Sequence, residues 1–357
     1  MDFLGAILIP IRFVIEIILV GWHWVFTTLG FPATSGLAWV LSIAGVVIVV
    51  RAAIFPLTVR QIKSQRKMME IAPEMRKIQD KYRGKKDQLS REAMSRETMA
   101  LYKKHGTSPV GGCLPILIQM PIFLSLFWTL RDITVWDEEG IGGWSARADW
   151  FPHMFTYDLV HQFDESMLFG VAPLSMTLVD HFQNPISTST AAIIMMIILV
   201  ALMIASQFFT QLLIVSKNLS DEAKTGQAYQ MQRIMLYIIP FAMIFSGVFF
   251  PLGVVVYWFF NNLWTMGQQF LVIREMPSPG SQAWRDRVAR LEKKGKTLDT
   301  KGKVVTMAEY EAEQEELLRQ AEAERASRQK RQQPMSKQRA KKQAQKNKGQ
   351  QGSQDDS

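Results

Sequence analysis

The stretch LAWVLSIAGVVIVVRAAIFPL, residues 37 to 57, decides how the rest of the chain is read. It is long enough to cross a bilayer, apolar almost throughout, and interrupted by one charge, Arg51. A helix rising about 1.5 Å per residue puts Arg51 about 20 Å from one end of the span and about 9 Å from the other, inside the hydrocarbon. A guanidinium there costs on the order of 2.5–3.5 kcal/mol even on the lenient insertion scale. The span holds no acid that could pair with it. Two solutions stay open: Arg51 faces a water-filled cavity or groove between helices, which marks a functional site, or it snorkels to the nearer headgroups.

Outward from this span, whole-chain averages mislead. Over 357 residues the hydrophobic content is 48% and the mean hydropathy is near zero, yet the apolar residues are gathered into blocks. Those blocks are 1 to 30, 37 to 57, 113 to 130, 190 to 215, and 234 to 273, the last split by Pro251-Leu252-Gly253 into spans over 234–250 and 252–273. The expectation is an all-α polytopic membrane protein. The lone cysteine, Cys113, excludes an intrachain disulfide or a cysteine-rich metal site, and after Gly111 and Gly112 it reads as small-residue packing at a helix entry. No basic segment precedes the first apolar run, so a cleavable signal is not expected. No nucleotide-binding loop, metal-ligand cluster or nucleophile triad is present, which argues against an enzyme and against a cofactor.

The net charge of +9 is distributed by topology. Residues 59 to 108 hold fourteen Lys or Arg against six acids, whereas 131 to 189 hold two basic residues against nine acids. The positive-inside rule makes 58–108 cytoplasmic and 131–189 external, so Arg51 lies in the cytoplasmic half of its span. The helix over 190–215 returns inward, 216–233 is a short cytoplasmic loop, and the basic tail 274–357 is cytoplasmic. Met167 to Leu178 is apolar but too short to span, and reads as a segment at the outer surface.

Within 58–108, apolar residues at helical spacing on both sides of Arg83-Gly84-Lys85-Lys86-Asp87 predict a helical hairpin, with Pro73 starting or kinking a helix. Residues 1–30 fit either a transmembrane or an interfacial helix, with Arg12 and Glu16 one turn apart and an aromatic anchor at Trp22-His23-Trp24. Two prolines in Leu114-Pro115 through Met120-Pro121 predict a kinked helix carrying Gln119 at membrane depth. Ser206, Gln207, Thr210 and Gln211 lie on the inner part of 190–215. The last span is unusually polar and aromatic through Tyr257, Trp258, Asn261, Asn262, Trp264, Gln268 and Gln269. From Arg274 onward the chain has twenty basic and thirteen acidic residues, and reads as largely disordered beyond one solvated helix.

The membrane arginine followed by IFPLTVRQIKSQRKM, the charged hairpin, SPVGGCLPILIQMPIFLSLF and PLGVVVYWFFNNLWTMGQQ together resemble the YidC/Oxa family of membrane protein insertases, in its short bacterial, actinobacterial-like form. The resemblance covers roughly residues 5 to 275. It implies five core helices around a hydrophilic groove open to the cytoplasm, plus the cytoplasmic hairpin. Arg51 matches the groove arginine, and Gln119, Met120, Phe123, Tyr257 and Trp258 match substrate-contacting positions; Gln207 joins them as a polar residue of the neighbouring span. Val47 stands where the family is often polar, and Trp258 where tyrosine is common. The implied role is insertion and folding of nascent membrane proteins in the plasma-membrane bilayer of a bacterium, alone or with the Sec translocon, with the hairpin and tail as candidate ribosome contacts. The competing reading is a polytopic anion transporter using Arg51 as counter-ion, against which stands the lack of an internal repeat; a structural scaffold is the third.

Overall fold

The structure, a computed structural model, describes residues 3–85, 87–106, 114–132, 154–179, 189–219, 227–299 and 302–332. They form two compact units, Met1–Arg287 and Val288–Ser357.

Among the described residues, the first unit is all-α apart from one two-stranded ladder. Helix α1 (Phe3–Thr28) passes through Pro10 without a break. Its buried residues Leu8, Arg12, Ile15, Glu16, Leu19 and His23 recur at three- and four-residue spacing and pack on α2 and α5. Helix α2 (Gly36–Glu70) is a single rod of 35 residues. The span and the first arm expected of the hairpin are thus continuous. Pro56 removes one backbone donor, but no second breaker follows, and Thr58 Oγ1 donates to the Ile54 carbonyl at 3.1 Å across that turn. The break comes at Ile71. Helix α3 (Ala72–Lys81) starts there with Pro73 in its first turn, where a missing N–H is harmless. Helix α4 (Gln88–Lys104) is capped by Asp87, whose carboxylate accepts from Ser90 N at 2.8 Å. Glu97 clasps α4 to α3 by accepting from Lys81 Nζ at 2.5 Å and Tyr82 Oη at 2.9 Å.

Helix α5 (Leu114–Asp132) contains Pro121; Cys113 and its glycines lie outside the described residues. After α6 (Tyr157–Asp164), strands β1 (Met167–Leu168) and β2 (Ala172–Pro173) pair antiparallel. The apolar segment 167–178 is therefore more than a surface layer: Leu168, Ala172, Leu174, Met176 and Leu178 are buried in the main core. Helix α7 (Thr190–Leu213) runs into a π-turn at Ile214–Asn218, followed by α8 (Gln227–Phe249) and α9 (Leu252–Glu275). The carbonyls of Leu174 and Met176 accept from Gly253 N and Leu252 N, each at 2.9 Å, and so cap the first turn of α9.

Among the described residues, four helices are long and apolar enough to cross a membrane, over Leu8–Thr28, Gly36–Ser64, Thr190–Asn218 and Gln232–Phe249; α5 contributes a shorter apolar segment, Leu117–Leu130. Helix α9 misses this criterion because of its polar residues, yet Leu252 to Tyr257 are all buried. It packs on α7, α2 and α5, and a helix sheltered by other helices needs no continuous apolar face toward lipid. At the centre Trp39 is fully buried, stacked on His23 at 3.9 Å and edge-on to Phe163 at 5.1 Å. Trp39 Nε1 and His23 Nε2 both donate to the Ala33 carbonyl, at 3.2 and 3.0 Å.

Helix α10 (Gln282–Glu292) crosses the unit boundary, and the second unit continues with an antiparallel pair, β3 (Lys296–Leu298) and β4 (Val304–Thr306), and helix α11 (Met307–Gln332). The described part of the tail thus holds an antiparallel strand pair beside its helices. Asp299 holds the turn by accepting from Lys303 N at 2.7 Å, and Thr306 and Glu309 form a reciprocal capping box at the start of α11.

Candidate functional site

Arg51 sits partly buried on α2, facing α9. Its Nε and Nη2 donate to Asn261 Oδ1 at 3.0 and 2.6 Å, and Nη2 also donates to Thr265 Oγ1 at 3.2 Å. Thr265 Oγ1 in turn donates to the Asn261 carbonyl at 2.8 Å, which leaves its lone pairs turned to the guanidinium. No carboxylate among the described residues pairs with Arg51, and its second terminal nitrogen, Nη1, makes no hydrogen bond to them. The arginine is thus held by neutral acceptors on one side only.

Beside it, Gln119 Nε2 on α5 donates to Tyr257 Oη at 3.4 Å. Arg51, Gln119, Tyr257 and Asn261 line one cavity with Val46, Val47, Val50, Ile122 and Leu126. The cavity gives a water-sized sphere about 10 Å³ to move in, room for roughly one water. Next to this polar layer lies an aromatic stack. Phe123 and Trp258 are parallel at 5.0 Å and 7°, and Phe250 closes on Trp258 at 5.3 Å.

Tertiary structure brings five of the seven candidate residues together: Arg51, Gln119 and Tyr257 in the polar layer, Phe123 and Trp258 in the stack. Met120 is 44% exposed and outside the cavity lining. Gln207 lies on α7, one turn beyond Met203, and lines neither cavity nor stack. The residues that satisfy Arg51, Asn261 and Thr265, escaped the sequence reading as site residues. Their signal was there: Tyr257, Asn261 and Thr265 recur every fourth residue and so form one polar stripe on α9. Asn262 points elsewhere, donating to the Met203 carbonyl at 3.1 Å and joining α9 to α7.

Fold and site define a class: an all-α, multi-pass membrane protein with a cation solvated by side chains inside its helix bundle. The model of the 60Kd inner membrane protein family matches residues 30–279, and the chain belongs to that family, which makes it a multi-pass bacterial membrane protein. It is 39% identical over 293 residues to a membrane protein insertase YidC of Tropheryma whipplei, covering 81% of this chain and 91% of that one. It is 37% identical over 291 residues to the YidC of Bifidobacterium longum, covering 81% of each. It is 31% identical over 271 residues to the YidC of Mycobacterium tuberculosis, covering 71% and 70%.

Proposed function

We propose that the protein is a membrane protein insertase whose substrate groove is built on the α2–α9 polar layer. The observation that carries this reading is the half-solvated guanidinium: Asn261 and Thr265 fix Arg51 in place while Nη1 stays uncommitted at the edge of a cavity. For a single-span protein entering the bilayer, the barrier is the passage of its polar terminus. An acidic residue of that segment pairs with Nη1 by a charge-assisted hydrogen bond, and water held by Arg51 and Gln119 shortens the dry path. The apolar part of the guest leaves along Phe123 and Trp258 toward the exposed, conformationally adaptable Met120. The small cavity is the resting form of the groove; opening it requires α5 to part from α9, whose side-chain link to α5 in this layer is the long Gln119–Tyr257 contact.

The charge distribution supports a cytoplasmic hairpin and tail, with the groove opening on that side and five helices forming its walls. Nascent chains are then the substrates, with ribosome contact through hairpin and tail and cooperation with a Sec translocon as further parts of the reading. In a reconstituted insertion assay, Arg51→Lys is expected to retain most activity toward substrates with an acidic translocated segment, and Arg51→Ala to lose it; equal loss in both variants defeats the charge model. A cysteine at position 51 in a Cys113→Ser background is expected to label from the cytoplasmic side only. Labelling from both sides would indicate a channel or an anion transporter, and from neither a scaffold.

A further inference from the structure

Phe169 stands out among the described residues as the non-glycine residue with positive φ. It occupies the tip of the β1–β2 turn, closed by Val171 N donating to the Leu168 carbonyl at 3.0 Å. Both central residues are left-handed, Phe169 at φ 51° and Gly170 at φ 69°. Turns of this kind favour Asn, Asp or Gly at both positions, because Cβ crowds the backbone there. Gly170 obeys the rule and Phe169 does not. Packing within the chain offers no compensation, since the Phe169 ring is 75% exposed.

The location of the turn supplies the missing partner. Ser35 bridges to Met167, and a Cβ on Gly36 would lie 2.4 Å from the Met167 backbone, so β1 is pressed against the first turn of the membrane-length helix α2. On its other flank the same hairpin segment caps α9 through Leu174 and Met176. The turn is therefore pinned at the edge of the membrane layer where α2 begins. Helix α1 ends at that edge too, seven residues before α2, and leaves Trp24 and Leu29 exposed. From Ser166 to Val179 the chain carries no charge, although the loop around it is acidic. Met167, Phe169 and Leu37 add three more exposed apolar side chains near the start of α2.

We infer that the Phe169–Gly170 turn is a lipid anchor, its ring lodged among the headgroups and first methylenes of the leaflet at which α2 begins. This rests on α2 crossing the membrane and not on the insertase reading. Anchoring holds the hairpin, and through it the cap of α9, at a fixed depth.

The test uses the full chain with Cys113→Ser and a nitroxide at Phe169→Cys, reconstituted in vesicles of phosphatidylethanolamine and phosphatidylglycerol. Collision rates with oxygen, which concentrates in lipid, and with a water-soluble nickel chelate report depth. The expected result is oxygen-dominated relaxation, with nickel access about fivefold below that of a label at Glu165→Cys; Glu165 is 56% exposed on the preceding α6 cap. Nickel access equal to that at Glu165 would place the turn in water and overturn the anchor. Exclusion from both reagents would mean a protein covering and would overturn it equally. Should the label at 169 prevent reconstitution, Met167→Cys, exposed on the same outward face, reads the same depth.

Discussion

Where α2 meets α9, a guanidinium donates to an amide oxygen and a hydroxyl; on α5, which packs chiefly on α1, the buried hydroxyls of Ser125 and Thr129 make no hydrogen bond to the described residues. Elsewhere in the bundle such hydroxyls bond back to their own helix, as Ser42, Thr58, Ser206 and Thr210 do. The contrast separates two kinds of buried polarity. A cation cannot be left unsolvated in hydrocarbon, so its partners are specified by the fold. A neutral hydroxyl costs far less and is tolerated where helices pack closely.

That contrast breaks most sharply at Arg51 itself. Arg51→Ala is expected to lower insertion of acidic-tailed substrates by tenfold or more, roughly, while leaving the chain folded, because it removes both the charge and the need to solvate it. Asn261→Leu comes next. It deletes the acceptor of two of the three hydrogen bonds made by Arg51 and should cost about 2–3 kcal/mol in thermal unfolding, with Arg51→Leu in the same background recovering part of the loss. If the double variant is no more stable than Asn261→Leu, the coupling between the two residues is disproved. Thr265→Val, which removes one neutral acceptor, is expected at about 1 kcal/mol. The sign should reverse on α5. Ser125→Ala with Thr129→Val removes unpaired hydroxyls and is expected to be neutral or slightly stabilising, within about 0.5 kcal/mol; a clear loss of stability would show that these hydroxyls are solvated after all.

The smallest effect lies outside the membrane, in the α3–α4 clasp. Hydrogen bonds from Lys81 and Tyr82 hold the Glu97 carboxyl below its usual range, and the bond to Glu97 raises Lys81. A depressed carboxyl stabilises above its unfolded pKa, and that contribution is lost as pH falls through the folded value; for Lys81 the contribution is lost as pH rises through its raised value. The protection of amides in α3 and α4, taken relative to the intrinsic exchange rate at each pH, should therefore fall by roughly two- to fivefold as Glu97 is protonated in acid, and also in high salt. The Arg51 layer should ignore both changes.

Part of this was legible along the chain. Blocks of apolar residues gave the four membrane-length helices, and Pro73 marked the helix break that the structure places at Ile71. The α2 rod was harder to read, because Pro56 signals a stop that the surrounding helix formers and Thr58 absorb. In the described part of the tail, net charge conceals a turn held by Asp299 and a capping box at Thr306, both short-range devices that composition averages away.

By itself the sequence determined that a cation lies within a membrane-length apolar stretch that holds no counter-charge, since length and charge are properties of a linear string. Which groups answer that cation was decided only by tertiary structure. Asn261 and Thr265 are more than two hundred residues from Arg51, and many polar residues of the last span could have faced it. The choice among them depends on the rotation of α9 about its axis, set by the packing of Leu252 to Tyr257 against α2, α5 and α7 and by the cap from Leu174 and Met176. Rotation is a collective outcome of many weak contacts, and no single stretch of sequence encodes it.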